Sequence, residues 1–343
     1  MADVPDQSAP ADEPEGAPAA EPAAELAEGA VRAGFCAIVG LPNVGKSTLL
    51  NRMLGRHLVA VSAKPQTTRD RIVGVHTIEL PDQTPSHAQI AYVDTPGVQD
   101  GRGALRRYMR EAAIAAASDA DVVLLIVDAT HRGGRMPDRM NQDDTVALAQ
   151  ASKARPLIVA LNKVDRVGKP ELLPVIEAWT AAYPGVEVVP ISAANGDNVD
   201  ALERVIASKL PPGPPLFPAD MVTDRSPQFI AQEIIREQLY HQLGKELPYA
   251  CAVQVETWSE KPGGKEVTIG AVIVVERESQ KPIVVGRGGS RIRELGIAAR
   301  EAVAEALKLD KVHLSLFVKV LSEWSRGEAG LRRLGYTPDG GSQ

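Results

Sequence analysis

The stretch GLPNVGKST, Gly40 to Thr48, constrains this 343-residue chain more than any other. It fits the pattern G-x-x-x-x-G-K-[ST], follows the apolar run FCAIVG and opens the helix-forming stretch KSTLLNRML. Strand, glycine turn and helix in that order make a phosphate site. Loop amides surround the oxygens at a helix N-terminus, Lys46 reaches the β- and γ-phosphates, and the Ser47 hydroxyl binds Mg2+. Asn43, Gly45, Lys46, Ser47 and Thr48 are therefore the first candidate nucleotide contacts.

From Gly34 to residue 209 short apolar runs alternate with helical stretches. Candidate strands are 35–40, 70–80, 88–95, 121–129, 155–163 and 186–192; most are rich in Val, Ile and Leu, as strands covered on both faces should be. Helical patterns fall at KSTLLNRML, ALRRYMREAAIAAAS, DDTVALAQASK, ELLPVIEAWTAAY and VDALERVIASKL. The alternation predicts an α/β unit on a mostly parallel sheet, with 70–80 and 88–95 forming an antiparallel hairpin at one edge.

Three further motifs stand where such a sheet binds ligand. NKVD, Asn162 to Asp165, ends the apolar strand PLIVAL. A carboxylate at Asp165 accepts two hydrogen bonds from the N1 and N2 edge of guanine, a pair of donors that adenine lacks. GTP is thereby expected over ATP. SAANG follows the next strand, and Ser192, Ala193 and Ala194 offer a backbone amide to guanine O6. DTPG places Asp94 to hold Mg2+ through water and the Gly97 amide to sense the γ-phosphate. In KPQTTRDR either Thr67 or Thr68 closes the Mg2+ shell, with Thr68 preferred. GTP/GDP and Mg2+ are the expected ligands.

The pattern stops at LPPGPPLFP, residues 210–218, where proline favours a stiff, extended path. Beyond it the sequence predicts a smaller α+β unit: a helix, two strands, a second glycine turn with its helix, and a last strand. That turn, GRGG, matches the G-x-x-G loop of KH modules, and Val284, Val285, Ile292 and Leu295 flank it at helix-packing spacing. It lacks the lysine and hydroxyl pair of a nucleotide loop. Its glycines instead let a sugar-phosphate backbone approach closely, so Gly286, Arg287, Gly288, Gly289 and Arg291 are candidate contacts to single-stranded RNA. A helix-capping turn is the plainer alternative for an isolated G-x-x-G.

A net charge of -6 argues against nucleic acid, but the average misleads. Residues 1–31 hold eight acidic side chains and no lysine or arginine, and the rest is close to neutral. The expected organisation is an acidic disordered tail (1–32), a GTPase domain (33–209), a proline-rich linker (210–218), a KH-type domain (219–336) and a flexible end (337–343). Cys36 and Cys251 lie far apart and predict neither disulfide nor zinc site. With no signal-like start and no apolar run of membrane-spanning length, a cytoplasmic protein is expected.

GLPNVGKST, QTTRDRIVGVHT, DTPG, NKVD, SAANG, VVGRGGSRIRELGIAAR and the closing LFVKVLSEWSRGEAGLRRLGY together resemble the Era family of translation-factor-like GTPases, over about residues 34–336. The resemblance implies 16S ribosomal RNA near its 3′ end as ligand, the 30S subunit as partner, and small-subunit maturation as process. A monomer is expected. Val98 stands where many GTP switches carry a water-orienting glutamine, so catalysis must draw on other groups. Relatives with asparagine at the position of Asn43 imply a K+ ion there, against the alternatives that Asn43 only stabilises the turn or that a partner supplies the missing group. Lys46, Asn43 and Thr68 are the candidate catalytic residues. A rival reading is a GTP-dependent scaffold at the inner face of the membrane, in which hydrolysis is incidental and Trp324, Arg332 and Arg333 meet the lipid surface.

Overall fold

A computed structural model of the protein describes residues 31–62, 69, 71–81, 85–97, 104–130, 155–244 and 247–336. The helix expected at DDTVALAQASK, and Thr67, Thr68 and Val98, lie outside the described residues.

The first unit is built on β1 (Val31–Val39), β2 (Ile72–Glu79), β3 (His87–Asp94), β4 (Val122–Asp128), β5 (Leu157–Asn162) and β6 (Glu187–Pro190). Their order is β2-β3-β1-β4-β5-β6. All pairings are parallel except β2 with β3, the expected hairpin. Successive side chains of a strand point to opposite faces. Cys36, Ile38, Leu124, Ile126, Ile158 and Ala160 accordingly share one core with Leu49 and Leu50 of α1 (Lys46–Met53) and Leu202 and Ile206 of α4 (Val199–Lys209). Ala37, Val39, Val123, Leu125, Val159 and Leu161 join the other core, with alanines of α2 (Ala104–Asp119) and Val175 and Trp179 of α3 (Lys169–Ala182). Near-continuous apolar strands are thus covered on both faces.

Two boundaries differ from expectation. The first strand begins at Val31, which pairs with His87, so Val31 and Arg32 belong to the sheet and not to the acidic tail. The proline-rich segment is no free-standing hinge. Its β7 (Pro212–Gly213) pairs antiparallel with Val31 and Arg32. The fully buried amide of Gln89 accepts from the Leu216 and Phe217 amides at 2.7 and 2.9 Å and donates to the Phe217 carbonyl at 2.8 Å. Further on, the Val75 amide donates to the Val222 carbonyl at 2.8 Å and the Asp224 amide to the Val73 carbonyl at 3.3 Å. The cause is the open edge of β2, whose backbone groups need partners.

The second unit contains α5 (Pro227–Gln242), β8 (Cys251–Glu260), β9 (Glu266–Val275), α6 (Lys281–Val285), α7 (Ser290–Ala306), β10 (Lys311–Val320) and α8 (Glu328–Arg333). Ser226 caps α5 by accepting from the Phe229 amide at 3.3 Å, with Pro227 in the first turn. The sheet order is β10-β9-β8, with β9 and β10 parallel because α6, the glycine turn and α7 form the crossover between them. The units share a core: Leu105, Tyr108 and Met109 of α2 pack with Val272, Val274, Trp324, Leu331 and Tyr336. Trp324 is therefore buried, stacked on Tyr336, and donates its indole N–H to the Ala250 carbonyl at 3.1 Å. It offers a lipid surface no aromatic anchor. Among the described residues no helix is long and apolar enough to cross a membrane.

Candidate nucleotide and RNA sites

The first glycine turn joins β1 to α1. Gly45 has φ 104°, and a Cβ there would stand 2.2 Å from the Asn162 side-chain nitrogen. Only glycine permits both the left-handed backbone and that approach. Lys46 is buried, and its ammonium donates to the Gly40 and Leu41 carbonyls at 3.1 and 2.9 Å, so the charge is held at the mouth of the loop. Burial lowers its pKa to about 8, with the Asp94 carboxylate acting in the opposite direction. Thr48 is half-buried in the first turn of α1, and Asn43 is exposed at φ 64°.

The guanine motifs are joined to that loop by side chains. Asn162, at the carboxyl end of β5, donates to the Val44 carbonyl at 2.7 Å and accepts from the Ala193 amide at 2.9 Å. Lys163 donates to the Asn43 carbonyl at 2.8 Å and to the Asp128 carboxylate at 2.5 Å. The Ser192 hydroxyl donates to Asp165 at 2.7 Å and so orients the carboxylate expected to read guanine. In SAAN the Ser192, Ala193 and Asn195 amides donate to Asp197, Asn162 and Ser192. Ala194 has the one amide of that stretch with no protein acceptor among the described residues.

DTPG lies against the same loop. The Thr95 hydroxyl donates to the Ile38 carbonyl at 2.8 Å and ties the motif to β1. A Cβ on Gly97 would come within 2.9 Å of Pro42 and 3.1 Å of the Lys46 ammonium. The Ser47 hydroxyl donates to the buried Asp94 carboxylate at 3.3 Å. A hydroxyl and a carboxylate side by side are the hard oxygen donors Mg2+ takes, so these residues fit that ion. Among the described residues no group of three His, Cys, Asp or Glu side chains could hold a metal. Mg2+ here would draw its remaining ligands from phosphates, water and the threonine expected at position 67 or 68.

Two residues of this constellation escaped the sequence reading. Asp128 ends β4 opposite Asn162 and anchors Lys163. Burial works to raise its pKa, but hydrogen bonds from Lys163 and Thr130 hold it below the ordinary carboxylate range. An acid closing an otherwise apolar strand was its signal. Arg52 of α1 donates to the Ala193 and Ala194 carbonyls and so fixes the SAANG loop. Nothing in the sequence marks it out.

The second turn has Gly286, Gly288 and Gly289 at φ 77°, 59° and 80°. A Cβ on Gly286 would lie 2.7 Å from the backbone nitrogen of Arg291. Arg287 and Gly288 are exposed, whereas Arg291 donates to the Ile283 carbonyl at 2.5 Å and braces the turn. Val284 and Leu295 are buried as expected; Val285 and Ile292 are half-buried. Exposed Ile283, Ile297 and Phe317 stand on the three neighbouring elements, α6, α7 and β10.

Comparison with known proteins agrees with this geometry. The family described as 50S ribosome-binding GTPase matches residues 35–163, and the KH domain family matches residues 246–325. GTPase Era of Geobacter metallireducens is 43% identical over 312 residues, 91% of this chain and 100% of the relative. GTPase Era of Pseudomonas aeruginosa is 45% identical over 308 residues, 89% of this chain and 95% of the relative. A variant of Aquifex aeolicus Era bound to GDP and AlF4- superposes with a TM-score of 0.81 at 37% identity, covering 89% of this chain and 99% of that one. Era in complex with MgGDPNP and nucleotides 1506–1542 of 16S ribosomal RNA gives 0.81 at 37% identity, covering 90% and 99%.

Proposed function

The chain belongs to the Era family of GTPases, and from that membership and the two sites we propose that its nucleotide state controls its grip on 16S ribosomal RNA near the 3′ end during maturation of the 30S subunit. The chain is a GTPase, and GTP, GDP and Mg2+ are its ligands. Phosphoryl transfer asks for alignment and charge compensation more than for covalent help. The loop amides and the Lys46 ammonium supply both at the β- and γ-phosphates. Asp165, oriented by Ser192, selects guanine, and the Ala194 amide meets its O6. Ser47 and Asp94 would hold Mg2+, which when bound would supply charge neutralisation at the transferring phosphoryl group. Thr68 and the Gly97 amide respond to the γ-phosphate, and the Asn43 side chain offers an oxygen to K+ in place of the missing glutamine.

The observation that carries this reading is that the chain holds two glycine turns at helix starts, in different units, and only the first is furnished with Lys46, Ser47 and Asp94. One therefore suits a triphosphate with its metal and the other a polymer backbone. Arg287→Glu and Gly288→Asp should weaken RNA binding and leave GTP turnover intact, and Lys46→Ala should weaken nucleotide binding. Wild-type RNA affinity in both second-turn variants would sink the reading. Crosslinking in cells followed by sequencing should recover the 3′ end of 16S RNA.

A further inference from the structure

The side chain of Arg69 crosses from the first unit into the second. It is fully buried, although it directly follows the largely polar sequence KPQTT. Its guanidinium donates to the Cys251 carbonyl and the Tyr240 hydroxyl at 2.8 Å each, and to the Pro248 and Tyr249 carbonyls and the Tyr336 hydroxyl at 3.4 Å each. The same group lies 5.4 Å from the ring centroid of Trp324 and 5.9 Å from that of Tyr240. Every one of these partners belongs to the second unit. The tie continues along the chain: Arg225 donates to the Arg71 carbonyl, and the Val73 amide donates to the Asp224 carboxylate at 3.1 Å.

The chemistry of this cage suits a device with two positions. A buried cation is costly unless its hydrogen bonds are satisfied, and here carbonyls, hydroxyls and ring faces meet the two terminal nitrogens, while Nε has no hydrogen-bond partner among the described residues. Withdrawn into water, the guanidinium regains its hydration but leaves hydroxyls and carbonyls of the cage without their donor. Moving the guanidinium therefore has a cost on both sides, and a pull on the Arg69 backbone would be felt in the cage. Such a pull is available. Arg69 follows Thr68, the threonine preferred over Thr67 for Mg2+, and consecutive Cα atoms are fixed about 3.8 Å apart, so a γ-phosphate that draws Thr68 toward the ion would act on Arg69 through a single peptide link.

We propose that Arg69 is a positioning residue that transmits the nucleotide state of the first unit to the RNA-binding unit through its aromatic cage. The inference rests on the nucleotide control of RNA binding proposed above. Its test is the affinity of the full chain for an RNA of nucleotides 1506–1542 of 16S ribosomal RNA, the segment bound by the structural relative, measured once with GDP and once with GDPNP. The reciprocal measurement is GDPNP affinity with and without that RNA, which linkage requires to change by the same factor.

The wild-type protein should show unequal RNA affinities in the two states. Arg69→Ala should bring their ratio within about twofold of one while the protein keeps its fold and binds GDP. Arg69→Lys keeps the charge but not the planar fork, and should restore only part of the ratio. Tyr240→Phe removes one hydroxyl and spares the ring; it should reduce the ratio, and it carries the test by itself if Arg69→Ala does not fold. A wild-type ratio in Tyr240→Phe and in Arg69→Ala would overturn the role of Arg69 and leave nucleotide control standing. Equal affinities in the wild type would overturn nucleotide control itself, and the transmission with it.

Discussion

Replacing Asn162 by alanine should destabilise the protein before any nucleotide is added. Its amide satisfies two buried main-chain groups from different loops, the Val44 carbonyl and the Ala193 amide, at 2.7 and 2.9 Å. Alanine leaves both without their partner, at about 1–3 kcal/mol each, and water at the rim of the site recovers part of this, so about 2–4 kcal/mol is expected. In a unit of this size that corresponds to a fall of about 4–16 °C in Tm. Asn162→Asp should do no better, because it keeps an acceptor for Ala193 but sets a carboxylate oxygen against the Val44 carbonyl. The assay is thermal unfolding of nucleotide-stripped protein, followed by titration with GDP. GDP affinity should fall as well, since the phosphate loop and the guanine loop lose their common tie. If Asn162→Ala melts with the wild type when stripped and differs only in GDP affinity, Asn162 contacts ligand alone and the bridging role is wrong.

The remaining predictions concern charge and ions. Lys46 has its pKa lowered to about 8 by burial, and a triphosphate should raise it again, so binding takes up a proton above pH 8. GDPNP affinity should then fall by up to about tenfold per pH unit above 8 and be flat in this respect below it; a flat profile to pH 9.5 would refute the lowered value. His57 of the first unit meets Glu237 of the second at 2.8 Å, and contact with that carboxylate raises the His57 pKa against burial. The raised value means that its contribution is complete below about pH 6.5 and is lost as pH rises through the folded value. The Tm difference between wild type and His57→Gln should therefore be largest at acid pH, and worth under about 1 kcal/mol because the pair is partly exposed. Turnover of GTP should drop when Na+ replaces K+; equal rates would remove the cation from Asn43.

Legibility in the sequence followed the range of the interactions. The two glycine turns, the hairpin and the buried strands depend on neighbours in the chain, on steric freedom at Gly45 and Gly286, and on apolar runs such as VVLLIV. Asp165 and Lys46 were legible because their chemistry needs them at fixed offsets from a strand end. Arg52, by contrast, works on carbonyls more than 140 residues away, at distances that no local pattern encodes. The course of the linker was hidden for the same reason: proline forecasts a stiff, extended path, while pairing with Val31 and Arg32 and the buried Gln89 amide decide where that path lies.

By itself the sequence determined which elements form and which ligands they suit, since backbone geometry, hydrophobic period and donor chemistry are written residue by residue. Only the tertiary structure decided that Asn162 binds three loops together, that Trp324 faces inward, and that Arg69 lies in a cage belonging to the other unit. The physical reason is that a buried polar group takes whatever partner the packed chain brings within about 3 Å, and that choice is made by the fold as a whole.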